Sequence, residues 1–434
     1  MTAPDDLAAR FNEFRDWLAF RQEQGSNTDP LQRKASGDLS AWISEVETLK
    51  PGKPSPNTEP DDWSTIRTCR PRGKRRYSLK ISDAELEDRL LGAWLGRAAG
   101  CILGIPCEGM TKSEIRCACK ALGQRYPLRG YWDRDPKPHL ADIRHYGLTP
   151  RRNFLAKNLK RIGTDDDLTY TLLGLLILEE FGPDFTSEDV GRAWLKYLPV
   201  ACTAEHVALE NLRRGISPPE TADCGNPYAY WIGAAIRSDP WGYAAPGQPE
   251  KAAEFAYRDA VISHRGVGIH AEMYFSAAIA LAFVVNDPVE VCKAALKEIP
   301  KNCRFSQTVQ ETLRWCRYDE NWDTTTNRIL DKYADMSGVH SINNAALTVA
   351  GLYYGRKDFG DTIGLTVMGG WDTDCTAATA GSILGAILGA KGLPKKWIVP
   401  LGVQAESYLM GKRIWKSEDI ARRFLRIAKS VRAE

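Results

Sequence analysis

Apolar residues recur at helical spacing along most of this chain and almost nowhere at the two-residue spacing of a strand. Leu7, Phe11, Phe14, Trp17 and Leu18 mark a short amphipathic helix from Asp5 to about Gln24, and a second short helix covers Leu39 to Leu49. The pattern then breaks: Lys50 to Pro60 carries repeated prolines that forbid regular structure and reads as a linker. From Ser82 the texture becomes compact. Ser82 and Glu85 have the spacing of a capping box, and Leu86, Leu90, Leu91, Trp94 and Leu95 follow on one helix face. Helical patterns continue over 168–181, 190–198, 205–213, 249–263, 269–285, 289–298, 306–317, 343–354, 376–390 and 420–431. The expected fold is all-α: a compact multi-helix domain over 81–434 behind an N-terminal helical extension over 1–80. A polar stretch with four prolines, Arg125 to Arg161, interrupts the pattern, and loops of that length in a compact domain usually carry function.

Composition narrows the classes. At 43% hydrophobic and 26% charged, the chain has the balance of a soluble globular protein. Its formal net charge of +3 gives no overall field that would argue for nucleic acid as partner. Between Arg67 and Lys80 seven basic residues stand without an acid, which fits either a solvated linker or contact with an acidic partner. The eleven cysteines are an odd number in a long chain, so reduced thiols are expected rather than a disulfide framework; Cys117-Ala-Cys119 is a weak zinc signal. The first fifteen residues lack the apolar region of a signal peptide, and no stretch approaches the roughly 18–20 apolar residues of a membrane span. A cytoplasmic location, away from membranes, is the expectation.

Two acidic turns carry the candidate chemistry. Gly163-Thr-Asp-Asp-Asp-Leu168 and Gly369-Gly-Trp-Asp-Thr-Asp-Cys-Thr376 each lead directly into a strongly apolar helix. Asp and Thr at a helix start satisfy its free N–H groups and its dipole, which accounts for one or two acids. Three consecutive aspartates repel one another beyond what capping needs, and a hard divalent cation bound by their oxygens would relieve the repulsion. From the residues alone, both readings stand.

In this order the motifs resemble those of the ADP-ribosylglycohydrolase family. Leu91-Gly-Ala-Trp-Leu-Gly-Arg-Ala-Ala-Gly-Cys-Ile-Leu-Gly-Ile-Pro-Cys-Glu108 looks like the family's opening helix and glutamate loop. Thr164-Asp165-Asp166 and Asp372-Thr-Asp374 match its two metal motifs, and Ser263-His264 its Thr/Ser-His pair. The resemblance covers roughly Glu85 to Leu401. It implies two Mg²⁺ or Mn²⁺ ions held by Thr164, Asp165, Asp166, Asp372 and Asp374. Glu108, Asp166 and Asp374 would serve as catalytic carboxylates, and Gly233, Arg237, His264 and Trp371 as substrate contacts. The implied activity is hydrolysis of an N- or O-linked ribosyl bond, removing ADP-ribose from a modified protein or small molecule.

Three departures from the family pattern bear on this. Cys375 follows the second aspartate pair where a hydroxyl is common. Asp167 replaces a threonine and reads as an acid complementing the helix dipole or as a partner outside the metal ligands. The glycine-rich phosphate loop appears as Trp231-Ile-Gly-Ala-Ala-Ile-Arg237, whose large side chains work against close backbone approach to a diphosphate. Tyr131, Trp132, Arg144, Arg151 and Arg152 of the long polar stretch offer stacking and cationic contacts from another direction. The alternative function is a non-catalytic binding or immunity protein on the same scaffold, with the N-terminal arm blocking a protein partner. Such a descendant should have lost acids at one of the turns, and here all persist.

Overall fold

The computed structural model describes residues 4–32, 38–50, 59–144 and 147–433. The elements used below are the helices α1 (Pro4–Glu23), α2 (Leu39–Thr48), α3 (Asp83–Gly104), α4 (Asp166–Phe181), α5 (Val267–Ala282), α6 (Ser341–Gly355), α7 (Phe359–Met368) and α8 (Thr373–Leu388). Further helices, the longest spanning Ser417–Ala433, surround them. Among the described residues the only sheet is one antiparallel pair, Gln404–Glu406 with Ile414–Lys416, so the all-α expectation holds.

At the centre lie α3 and α8. The side chain of Ser82 caps α3 by accepting the Glu85 N–H at 3.2 Å, and from Gly92 onward every residue of the helix is buried. By length and composition α3 could cross a membrane, which the sequence reading did not credit, but 94% of its apolar window is enclosed by protein. Small residues let it approach α8 closely. A β-carbon on Gly96 would lie 2.2 Å from the Gly381 carbonyl oxygen, one on Gly100 1.9 Å from that of Ala377, and one on Gly385 2.2 Å from that of Gly92. The recurring glycines of α8 therefore serve backbone-to-backbone packing. At the far end the contact continues: Gly104 fits against the Thr373–Asp374 peptide, where a β-carbon would come within 2.4 Å of the Asp374 nitrogen.

The N-terminal arm packs on this domain. Phe14, Trp17 and Phe20 of α1 with Ile43 and Val46 of α2 bury their apolar faces in a cluster shared with Tyr230, Val267, Ile342, Ala346 and Ala350. That face is not available to a protein partner. Residues 51–58, most of the proline-rich linker, lie outside the described residues. Beyond it the basic stretch also docks. Ile66 joins the main core, Arg70 meets Glu250 at 2.7 Å and Glu298 at 2.9 Å, and the Tyr77 N–H donates to Gly247. For Arg70 and Arg75 the acidic partner is thus this chain's own Glu298, which lies 3.3 Å from Arg75.

Gly100→Ala should lower stability by about 1–3 kcal/mol or more, because the obstacle is a helix backbone that cannot turn aside. Urea unfolding checks this: a lower midpoint at unchanged slope is expected, and an unchanged midpoint would mean that the helices separate at little cost.

Candidate metal centre and cleft

Each acidic turn sits where the chain must start a helix, and the two starts face each other. Asp165 is the N-cap of α4: its Oδ1 accepts the Asp167 N–H at 3.0 Å and the Cys101 thiol at 3.3 Å. Capping uses that oxygen only, and Oδ2 faces the Arg144 guanidinium at 2.9 Å. Asp372 occupies the N-cap position of α8 but its side chain caps nothing; its backbone N–H instead donates to Asn344 at 3.3 Å. Capping therefore explains half of one aspartate.

Oxygens of Asp165, Asp167 and Asp374 lie within 4.8 Å of one another, and Asp372, Asp374 and Cys375 form a second such group. Burial first, then mutual repulsion, drives the carboxyl pKa values up: Asp166 to about 8, Asp372 to about 6, and Asp374 and Asp167 well above the usual range. Asp374 Oδ1 is buried without a hydrogen-bond partner. Crowded, hard, unsatisfied oxygens are the donor set that a divalent Mg²⁺ or Mn²⁺ requires, so the residues present fit such an ion.

Two arginines answer the acids from within the chain. Arg97 is wholly buried and binds the Asp167 carboxylate at 3.2 Å, the Asp167 carbonyl at 2.7 Å, Asp239 at 2.6 Å and the Ile236 carbonyl at 2.6 Å. Asp167, which also accepts the Cys375 thiol at 3.1 Å, is thus a structural counter-ion, and the thiol is turned to it. Arg144 reaches in from the long polar segment, 2.9 Å from Asp165, 3.4 Å from Glu108 and 3.6 Å from Asp374. Its guanidinium occupies the gap between the two acidic turns.

Glu108 belongs to the same place because its loop is stitched to the second acidic turn. The Gly109 N–H donates to the Trp371 carbonyl at 2.8 Å, and the Trp371 N–H to that of Met110 at 2.9 Å. Trp371 takes φ of +62°, a strained value for a bulky residue, and these two bonds hold it there. Its indole packs beside Gly338 on the side of the arm's apolar cluster, and it is not among the cleft-lining residues.

The cleft beside the acids has a volume of about 400 Å³. Asp166, Asp372, Asp374 and Glu108 form its floor; Trp231, Ile232, Gly233 and Ile236 form one wall; Lys137, Arg144 and Arg151 bring positive charge to the lining. Gly233 lines it as the sequence suggested. Arg237 does not, and the expectation that it meets substrate is corrected: it is buried beneath the loop, paired with Glu205 and, at 2.6 Å, Asp259. His264 is likewise underneath. Burial, then the Arg237 charge, keeps its pKa low, and its Nε2 accepts the Ala234 N–H at 3.2 Å, fixing the loop from below. Thr164 lines an adjoining groove on the far side of the first turn, and its backbone pairs with Thr149. Tyr131 and Trp132 are core residues, while Arg151 and Arg152 both bind Asp135. Among the described residues the groups close enough to share a cation are these aspartate sets, not Cys117 and Cys119.

Sequence reasoning passed over Arg97, Cys101, Glu205 and Asn344. A single arginine inside an apolar helix was a usable signal for Arg97. Glu205, whose carboxylate lies directly under Gly233, has no such mark in its amphipathic helix.

Raised carboxyl pKa values mean that the folded protein holds protons which the unfolded chain releases above about pH 4. Stability of the metal-free protein should therefore fall as pH rises, including through about 8, to which the Asp166 carboxyl is raised. Mn²⁺ should restore it at the alkaline end. Denaturation midpoints at both ends of this range, with EDTA or Mn²⁺, decide it; a flat profile indifferent to Mn²⁺ would exonerate the crowded acids.

The ADP-ribosylglycohydrolase family profile matches residues 82–430. The ADP-ribosyl-[dinitrogen reductase] glycohydrolase of Rhodospirillum rubrum is 25% identical over 339 residues, 75% of this chain and 94% of that protein. An uncharacterized protein of Archaeoglobus fulgidus is 24% identical over 319 residues, 72% of this chain and 91% of that one. A solved structure described as an ADP-ribosylglycohydrolase-related protein complex, 19% identical, aligns with 80% of this chain and 99% of its own at a TM-score of 0.46. With paired acidic turns facing one cleft and a family match over most of its length, the chain belongs to the ADP-ribosylglycohydrolase family.

Proposed function

We propose that the protein is a metal-dependent hydrolase that removes ADP-ribose from a modified protein or small molecule by cleaving an N- or O-ribosyl bond. One observation carries the reading: Asp166, Asp372, Asp374 and Glu108, from three distant parts of the chain, line one cleft beside an apolar wall, with Asp165 buried next to them and 2.9 Å from Arg144. The relative from Rhodospirillum rubrum bears a name of the same activity class. The non-catalytic alternative is not favoured, since no acid of either turn is lost and the arm's apolar face is engaged on the domain.

Asp165, Asp166, Asp372 and Asp374 would hold the divalent ions, with Thr164 in the first turn. Bound there, such ions supply Lewis-acid polarisation and lower the pKa of a coordinated water. The chain's own residues do the rest. Cleavage builds positive charge at the anomeric carbon, and the acidic floor stabilises it. Glu108 has 44% of its side chain exposed, against 4% or less for Asp165 and Asp374, so it is the carboxylate placed to exchange a proton between cleft and solvent. Trp231, Ile232 and Ile236 offer an apolar face to the sugar or its base. Phosphate charge is met from the opposite segment, by Lys137 and Arg144, since the wall at 231–236 lacks the open glycine-rich backbone of a phosphate cradle.

Incubation with ADP-ribosylated arginine and serine peptides, in Mg²⁺, Mn²⁺ or EDTA, tests this. Release of ADP-ribose should require the ion and fall at least roughly a hundredfold in Asp374→Ala. Full release in EDTA would remove the metal from the reading, and no release from any ADP-ribosyl compound would remove the activity.

A further inference from the structure

The N-terminal arm lies outside the matched residues 82–430, yet it touches the back of the cleft wall. Beside the apolar contact, one carboxylate of the arm makes a polar one. Glu23, the last residue of α1, stands 3.1 Å from His340 Nε2 and 2.9 Å from Arg304 Nη1. The ring of His340 is fixed: Nδ1 accepts the Ile342 N–H at 3.1 Å, which leaves Nε2 to donate to Glu23. Burial pushes the Glu23 carboxyl up, but the hydrogen bond from His340 and the Arg304 guanidinium outweigh it and hold the carboxyl below its usual range, so the brace stays ionised.

His340 is tied in turn to the cleft wall. The Ile232 N–H donates to Val339 at 2.9 Å, the Ser341 N–H to Tyr230 at 3.1 Å, and the Ser341 hydroxyl to the Trp231 carbonyl at 2.8 Å. These bonds make 230–232 and 339–341 a paired unit. One side of it, Trp231, Ile232, Gly233 and Val339, faces the cleft. The other side receives the arm: the Phe20 ring meets Tyr230 edge-on at 5.0 Å, and Arg304 lies over the same tyrosine at 5.2 Å. From Glu23 to the ligand space is one histidine and one peptide pair.

We propose that the arm is a working part of the substrate site, in which Glu23 is a positioning residue: through His340 it sets the Trp231–Gly233 wall, and so governs how tightly a ligand is held and not how fast the bond is cleaved. Asp166 and Asp374 are carried in the first turns of α4 and α8, and the hydrogen-bonded link from His340 toward the acids runs through Asn344 to the Asp372 backbone N–H, not to a carboxylate. The inference rests on the cleft reading above for its ligand, while its structural part stands apart from it.

The test uses the full chain. In Glu23→Ala, amide hydrogen exchange should accelerate at 230–233 and 338–341, beyond any change in the arm itself. ADP-ribose, titrated with Mn²⁺ present, should bind roughly tenfold more weakly, and KM should rise by as much with kcat within about twofold. Mn²⁺ affinity should not change. Glu23→Gln, which keeps an oxygen to accept from His340, should recover most of the loss. Should Glu23→Ala fail to fold, Phe20→Leu carries the same comparison. Unchanged exchange at 230–233, or a fall in kcat at constant KM, would overturn the proposal. If ADP-ribose fails to bind the unaltered protein, the functional reading fails, and the exchange pattern alone decides the role of the arm.

Discussion

The helices α3 and α8 touch backbone to backbone, and the positions of Glu108, Asp372 and Asp374 follow from that contact. Glycine at 92, 96 and 100 on one helix and at 381 and 385 on the other removes the side chains that normally hold helix axes 8–10 Å apart. The same closeness at Gly104 brings the end of α3 against the start of α8. Glu108, just beyond one, and Asp372 and Asp374, at the other, thereby share a site. A single methyl group in this seam would displace backbone, and the carboxylates would move with it.

Around that seam the fold gathers more negative charge than it neutralises. Arg97 settles one part by clamping Asp167 and Asp239 and, through the Ile236 carbonyl, the substrate loop. The rest, four aspartates and Glu108, faces the Arg144 guanidinium, with Lys137 and Arg151 also in the cleft lining. Burying like charges together raises their pKa values because each is deprived of water and pushed by its neighbours. A protein selected for stability alone would not keep such a group. Its presence at two helix starts is what the proposed binding of divalent cations would account for.

The cleft wall opposite the acids is built differently, from backbone pairing and from what lies behind it. His264 and Glu205 support the loop at 233 and 234 from below, His340 pairs with it from the side, and the arm closes the outer face. The floor and the wall thus draw on partly different elements, joined by Arg97, which binds both Asp167 and the Ile236 carbonyl, and by Asn344, which links Asp372 to His340.

The helical class was legible in the sequence, because a helix's apolar stripe has a fixed period: α1, α2 and α4 fall within a residue or two of where periodicity placed them. The acidic turns were legible too, since crowding of like charges shows in the chain itself. What the sequence left open was which aspartate oxygen caps and which does not, and the structure answers it: Asp165 caps with Oδ1 and turns Oδ2 to Arg144, while Asp372 caps nothing. The roles of Arg237 and His264 were misplaced, because a motif's position does not tell which side of a loop its side chains take. Arg144, the docking of Arg70 on Glu298, and the union of Glu23 with His340 are contacts between residues far apart in the chain. No local pattern encodes them; they exist only because the packing of α3 on α8 fixes everything else around it.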